Sequence, residues 1–168
     1  MNINIDDLYK STDIIIVNPY NGLGNKLRAI ASAYSIAKTL KKTLIINWIP
    51  SVHCDCTFDD LFVIPDDVLL YNKKLEISEQ LFDIYDCVDF KNGTKNKYIN
   101  TNTKKNIYIK SYEILNNEHA NKYVYEFIRS LIPIPKIQKI INSISIPENT
   151  IAVHIRTLGG DIENTDDY

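Results

Sequence analysis

Two short stretches of the chain carry residue types suited to holding an anion. The first runs Asn21-Gly22-Leu23-Gly24-Asn25-Lys26-Leu27-Arg28, a glycine-bracketed turn leading into an amphipathic segment. Cations at a helix start oppose the helix dipole, so Lys26 and Arg28 beside Asn25 call for an anion nearby. The second stretch is Ala152-Val153-His154-Ile155-Arg156. On a strand, His154 and Arg156 share one face while Val153 and Ile155 take the other. Arginine offers a planar fork of donors matched to phosphate oxygens, and histidine beside it can donate or accept. Both lie near the C-terminal end of a strand, where open α/β sheets place their ligand crevices. Plainer readings stand beside these. A tight turn accounts for Gly22 and Gly24 alone, and a strand-end Arg156 can pair with a carboxylate such as Asp161.

Several familiar chemistries do not fit. A dinucleotide-binding turn needs a third small residue where Leu27 stands, and an acid after the second strand where Asn47-Trp48 stand. No Gly-Lys-Ser/Thr follows the loop, so it is not a P-loop. His53-Cys54-Asp55-Cys56 offers soft metal ligands, but a structural zinc site needs four ligands in paired spacing and no second pair is visible. We expect no metal there, and thiols that pack or stay redox-inert. No Gly-x-Ser-x-Gly elbow is present. Asp59 and Asp60 precede a helical turn and read as caps, not as an acid–base pair.

The elements that must position these residues follow from periodicity. Asp13–Pro19 is a β-branched run bounded by turn residues, a buried strand. Leu27, Ile30, Ala31, Tyr34, Ala37 and Leu40 recur at helical spacing, and Thr43–Trp48 is a second strand. Strand, glycine turn, helix and strand make a βαβ unit. Beyond it we expect a helical turn at Asp59–Phe62, a strand at Val68–Tyr71 and a helix within Ser78–Val88. A polar loop follows over 91–106, then a strand at Ile107–Tyr112. Helices are expected at His119–Ile132 and Pro135–Ile144, with a last strand at Asn149–Arg156. That last strand either completes the first sheet or opens a second domain.

The 168 residues are 45% hydrophobic and 24% charged, a folded-protein profile that suits one domain or one domain plus part of another. A net charge of −2 gives no footprint for nucleic acid. Three cysteines make no disulfide framework, and the polar N-terminus has no signal-peptide core. No apolar run approaches the ~20 residues needed to span a bilayer. We therefore expect a cytoplasmic, reducing setting.

Taken together, the two stretches resemble a family. Residues 22–48, GLGNKLRAIASAYSIAKTLKKTLIINW, are similar to the N-terminal signature of the fucosyltransferase-like glycosyltransferases, the α1,6-, α1,2- and protein O-fucosyltransferase superfamily. Residues 48–62, WIPSVHCDCTFDDLF, resemble bacterial and large-virus members, and AVHIR matches the family's His-x-Arg motif. The resemblance covers residues 14–62 and 150–161. It implies the N-terminal half of a GT-B architecture, an α/β fold with a Rossmann-like parallel sheet and flanking helices. Residues 1–148 would form the acceptor-side domain, and 149–168 the first strand and start of a truncated donor-binding domain. It implies transfer of fucose from GDP-fucose to a glycan or protein hydroxyl, with inversion. The partners would be a sugar nucleotide and a glycan or glycoprotein acceptor, with no cofactor and no metal; the chain has no Asp-x-Asp triplet. By matching position, Arg156 would hold the diphosphate as the catalytic residue and His154 would contact the donor. Gly22, Gly24 and Asn25 would form the facing loop, with Arg28 supporting it. The sequence departs from the family after Arg156, where Thr157-Leu158-Gly159-Gly160 precede Asp161 in place of a second basic residue or a short Arg-Gly-Asp-like turn. The alternative is a non-catalytic remnant that folds and at most binds glycan.

Overall fold

The computed structural model describes residues 13–88, 97–147 and 150 of the chain. Thr150 apart, the strand expected at 149–156 and the proposed second domain at 149–168 lie outside the described residues, and His154 and Arg156 with them.

β1 (Ile14–Pro19) is the β-branched run, and all but Asn18 of its residues are buried. α1 (Leu23–Leu40) follows the glycine turn, then β2 (Thr43–Ile46) and β3 (Val68–Leu70). β4 (Phe82–Asp86), β5 (Asn106–Ser111), α2 (Val124–Ser130) and α3 (Pro135–Ser143) complete the order. The five strands form one sheet in the order β3-β2-β1-β5-β4, and every pairing is parallel. This is an α/β Rossmann-like fold. β1 lies at the centre, with Ile15 paired to Leu44 on one side and to Ile107 on the other. Its register explains why it reads as a continuous apolar run, since a central parallel strand is covered on both faces.

One face of the sheet presents Ile15, Val17, Leu44, Ile46, Ile107 and Ile109 to α1 and to Trp48, Phe58 and Phe127. The opposite face carries Ile14, Ile16, Ile45 and Phe82, covered by Leu69, Tyr71, Leu75 and Ile77. α1 is buried without interruption from Ala29 to Ala37. Its small residues let the sheet and the chain after β5 approach from two sides. The two serines in that stretch satisfy backbone groups that the approach would otherwise strand. Ser32 Oγ accepts from the Leu115 amide at 3.2 Å. Ser35 Oγ accepts from the Tyr123 amide at 2.9 Å and donates to the His119 carbonyl.

Two expectations are corrected. The segment Ser78–Val88 holds a strand, not a helix: β4 pairs with β5 from Phe82↔Asn106 to Asp86↔Lys110. Its mixed periodicity comes from its place at the sheet edge, where Phe82 is buried but Ile84 stays exposed. The helix expected at His119–Ile132 is confined to Val124–Ser130. Before it, buried Asn117 bends the chain into turns, accepting from the His119 amide at 2.8 Å and donating to the Ile99 carbonyl at 2.8 Å. An asparagine that bonds its own backbone competes with a helical start.

Candidate functional site: the rim above β1 and β5

The chain runs from β1 outward to β2 and β3 on one side, while β5 and β4 lie on the other. The C-terminal ends of β1 and β5 therefore flank the topological switch point, the usual ligand crevice of an open parallel sheet. Tyr20 leaves β1 with its amide on the Ser111 carbonyl at 2.8 Å, which ties the two strand ends together. The turn's left-handed residue is Asn21, with φ of 72°. Its side chain accepts from the Gly22 amide at 3.0 Å.

The two glycines are then not explained by the backbone. Gly22, at the start of α1, has φ of −70° and ψ of 169°, a conformation open to any residue. A Cβ on Gly22 would meet only the His53 carbonyl oxygen at 3.9 Å, and a Cβ on Gly24 would meet nothing within 4 Å. Glycine inside a helix costs about 0.5–1 kcal/mol relative to alanine. Gly24 thus leaves open space at a helix start, at a cost the fold does not require. No side chain caps that start, and no acid lies in the first turn. Its amides and the dipole are positioned to favour an anion.

The three polar residues beyond Gly24 part company. Asn25 and Arg28 stay at the surface and bind each other, the Arg28 guanidinium donating to Asn25 Oδ1. Lys26 turns inward and is buried. Its amine donates to the Pro19 carbonyl at 2.9 Å and lies 4.8 Å from the centroid of the Trp48 ring. Burial pulls its pKa below the ordinary lysine value, partly offset by the nearby Cys54 and Cys56 thiols. The helix start therefore presents one cation to solvent, not two. Gly22, Gly24, Asn25 and Arg28 occupy one rim, whereas His154 and Arg156 lie outside the described residues.

Three further residues, Tyr20, His53 and Lys110, meet at this rim, a placement that the sequence motifs do not indicate. The rings of Tyr20 and His53 meet edge-on with centroids 6.2 Å apart. The Lys110 amine lies 5.5 Å from the Tyr20 ring and 3.6 Å from an Asp86 oxygen. The available signal was positional: Tyr20 directly follows β1, and Lys110 sits at the end of β5. Below them Asn18 donates to the Tyr108 hydroxyl at 3.0 Å, and burial raises the Tyr108 pKa. Asn47 stands where a dinucleotide fold would carry its ribose-binding acid. It is buried, and its amide donates to the Tyr71 and Lys73 carbonyls at 2.7 and 2.9 Å. That amide is committed to structure.

The Asp60 carboxylate accepts from the Thr57 amide and hydroxyl, both at 2.7 Å, which lowers its pKa. It caps the turn at 58–62, as its place in the sequence implies. A cavity of about 730 Å³ lies between Asp59 and Lys73, and it does not include the rim glycines. Among the described residues no group of three or more His, Cys, Asp or Glu is placed to hold a metal. Among them, too, no helix is long and apolar enough to cross a membrane. Comparison with protein-family models, curated proteins and solved structures finds no match to this chain.

Proposed function

We propose that this chain belongs to a sugar-nucleotide-dependent glycosyltransferase of the fucosyltransferase-like kind. The reaction would move fucose from GDP-fucose to a glycan or protein hydroxyl with inversion. The observation that carries the reading is Gly24, a helix-start glycine with open space where its Cβ would be. It stands at the switch point of a parallel sheet and on an uncapped helix end. A diphosphate approaching the backbone needs that space, and the first-turn amides of α1 can receive its charge. The sequence likeness over residues 14–62 and 150–161 supplies the donor class. In this reading Gly22, Gly24, Asn25 and Arg28 form the near wall of the donor cleft, and His154 and Arg156 act from the other side. Negative charge grows on the departing GDP, and Arg156 stabilises it; removing one such donor costs about 10²–10³-fold in rate.

Calorimetric titration of GDP and GDP-fucose tests this. The wild-type chain should bind both. Arg156→Ala and Gly24→Leu should each weaken GDP, while circular dichroism shows both variants folded. Folded wild-type chain that binds neither nucleotide, or binding indifferent to both substitutions, would sink the assignment.

A further inference from the structure

Loop 51–56 brings two thiols together in a way their spacing alone does not dictate. The Sγ atoms of Cys54 and Cys56 are 3.5 Å apart, and both residues are half-buried and free. Separate anchors hold them. Ser51 and Cys54 exchange two backbone hydrogen bonds of 3.1 and 2.9 Å, which fix Cys54 in a tight turn. Cys56 is held through its carbonyl, which accepts the Trp48 indole N–H at 2.6 Å. The Lys26 amine lies close enough to interact electrostatically with both thiols.

We propose that Cys54 and Cys56 are a reversible dithiol–disulfide pair, oxidised by small disulfides of the glutathione class, on the loop that borders the α1 rim. The step is two successive exchanges. The Cys54 thiolate attacks one sulfur of the glutathione disulfide and expels a glutathione thiolate. Cys56 then gives up its proton and attacks the Cys54 sulfur of the mixed disulfide, expelling the second glutathione. Two protein thiols lose two electrons, and one glutathione disulfide becomes two thiols. The sulfurs must close from 3.5 Å to about 2.05 Å, a small movement within one loop. Burial raises the Cys56 thiol to about 11, so Cys56 reacts slowly by itself. The same loop places the His53 carbonyl 3.9 Å from where a Gly22 Cβ would sit. Closure of the ring therefore acts on a loop that touches the candidate site.

The full chain is equilibrated in glutathione buffers from fully reducing to fully oxidising, quenched in acid, alkylated and mapped by mass spectrometry. With rising glutathione disulfide, the peptide holding both cysteines should lose two hydrogens and resist alkylation, while Cys87 is alkylated throughout. Dithiothreitol should reverse the change. The emission of Trp48, the single tryptophan, should shift over the same range because its indole is bonded to Cys56. Cys56→Ser should lose the internal disulfide completely and stop at the glutathione adduct on Cys54. Phenylarsine oxide, which bridges neighbouring thiols, should protect both in the reduced wild type. Alkylation of both cysteines at every buffer ratio would overturn the proposal, as would persistent glutathione adducts in the wild type.

Discussion

The Lys26 amine is buried at the foot of α1, 2.9 Å from the Pro19 carbonyl and over the Trp48 ring. Burial disfavours the charged amine, and the nearby Cys54 and Cys56 thiols offset that only in part, which is why its pKa falls below the ordinary value. The sign of the consequence follows. Where the amine is protonated in both states, the folded chain bears the full cost of burying it. Above the folded pKa, and up to the unfolded value near about 10.4, the unfolded chain binds more protons, so stability rises with pH. Raised tyrosine pKa values act in the opposite sense near about 10, so comparison with Lys26→Met is required to isolate the lysine. The difference in urea-unfolding free energy, wild type minus Lys26→Met, should grow toward wild type as the pH rises toward about 10. A flat difference would show that the amine is solvated. Lys26→Ala removes the stem as well and leaves the Pro19 carbonyl unpaired. It should cost about 2–4 kcal/mol at neutral pH by the same measurement.

At the scale of the element, α1 decides most of the fold, and its serines and its C-terminus carry distinct energies. Ser35 looks like a defect in an apolar helix face until the chain after β5 is considered. Its hydroxyl serves the Tyr123 amide and the His119 carbonyl together. Ser35→Ala should therefore destabilise by about 1–3 kcal/mol in denaturant unfolding, since a half-buried amide loses its partner. The helix ends at Lys41, with φ of 55° and ψ of 38°, where its amide closes back on Ala37 and Lys38. A side chain in that left-handed region costs about 1–2 kcal/mol that glycine avoids, offset partly by glycine's greater freedom when unfolded. Lys41→Gly should raise the melting temperature by about 2–4 °C, measured by calorimetry. A fall would show that contacts of the Lys41 side chain outweigh its backbone cost.

Across the whole molecule, sequence periodicity is a good guide where an element faces one environment and a poor one where environments mix. β1, α1, β2 and β5 were legible because the core covers them. β4 was not, because an edge strand leaves Ile84 exposed and blurs the alternation that marks a strand. Within the site, the turn and its glycines were legible, but not the inward turn of Lys26, which depends on Trp48 and on a carbonyl that the sequence cannot place. The same contrast predicts a gradient of local stability. β1 is hydrogen-bonded to β2 and to β5 and buried on both faces. α3 has helical spacing too, yet none of its residues is buried, and Ile140, Ile141 and Ile144 face solvent in and just beyond it. What ties its start to the rest is backbone: the Ile134 amide on the Leu61 carbonyl at 3.0 Å and the Val63 amide on the Ile132 carbonyl at 2.8 Å. A helix of nine residues without a buried face has little to hold it, because isolated helices shorter than about 12–15 residues are marginal in water. Amide hydrogen exchange should therefore show β1 and β5 protected to the level of global unfolding, while α3 opens at least about tenfold more readily. Pro135→Ala should leave the β1 rates unchanged, because nothing in the sheet core rests on α3. Equal protection of α3 and β1 would mean that the exposed isoleucines are covered in solution.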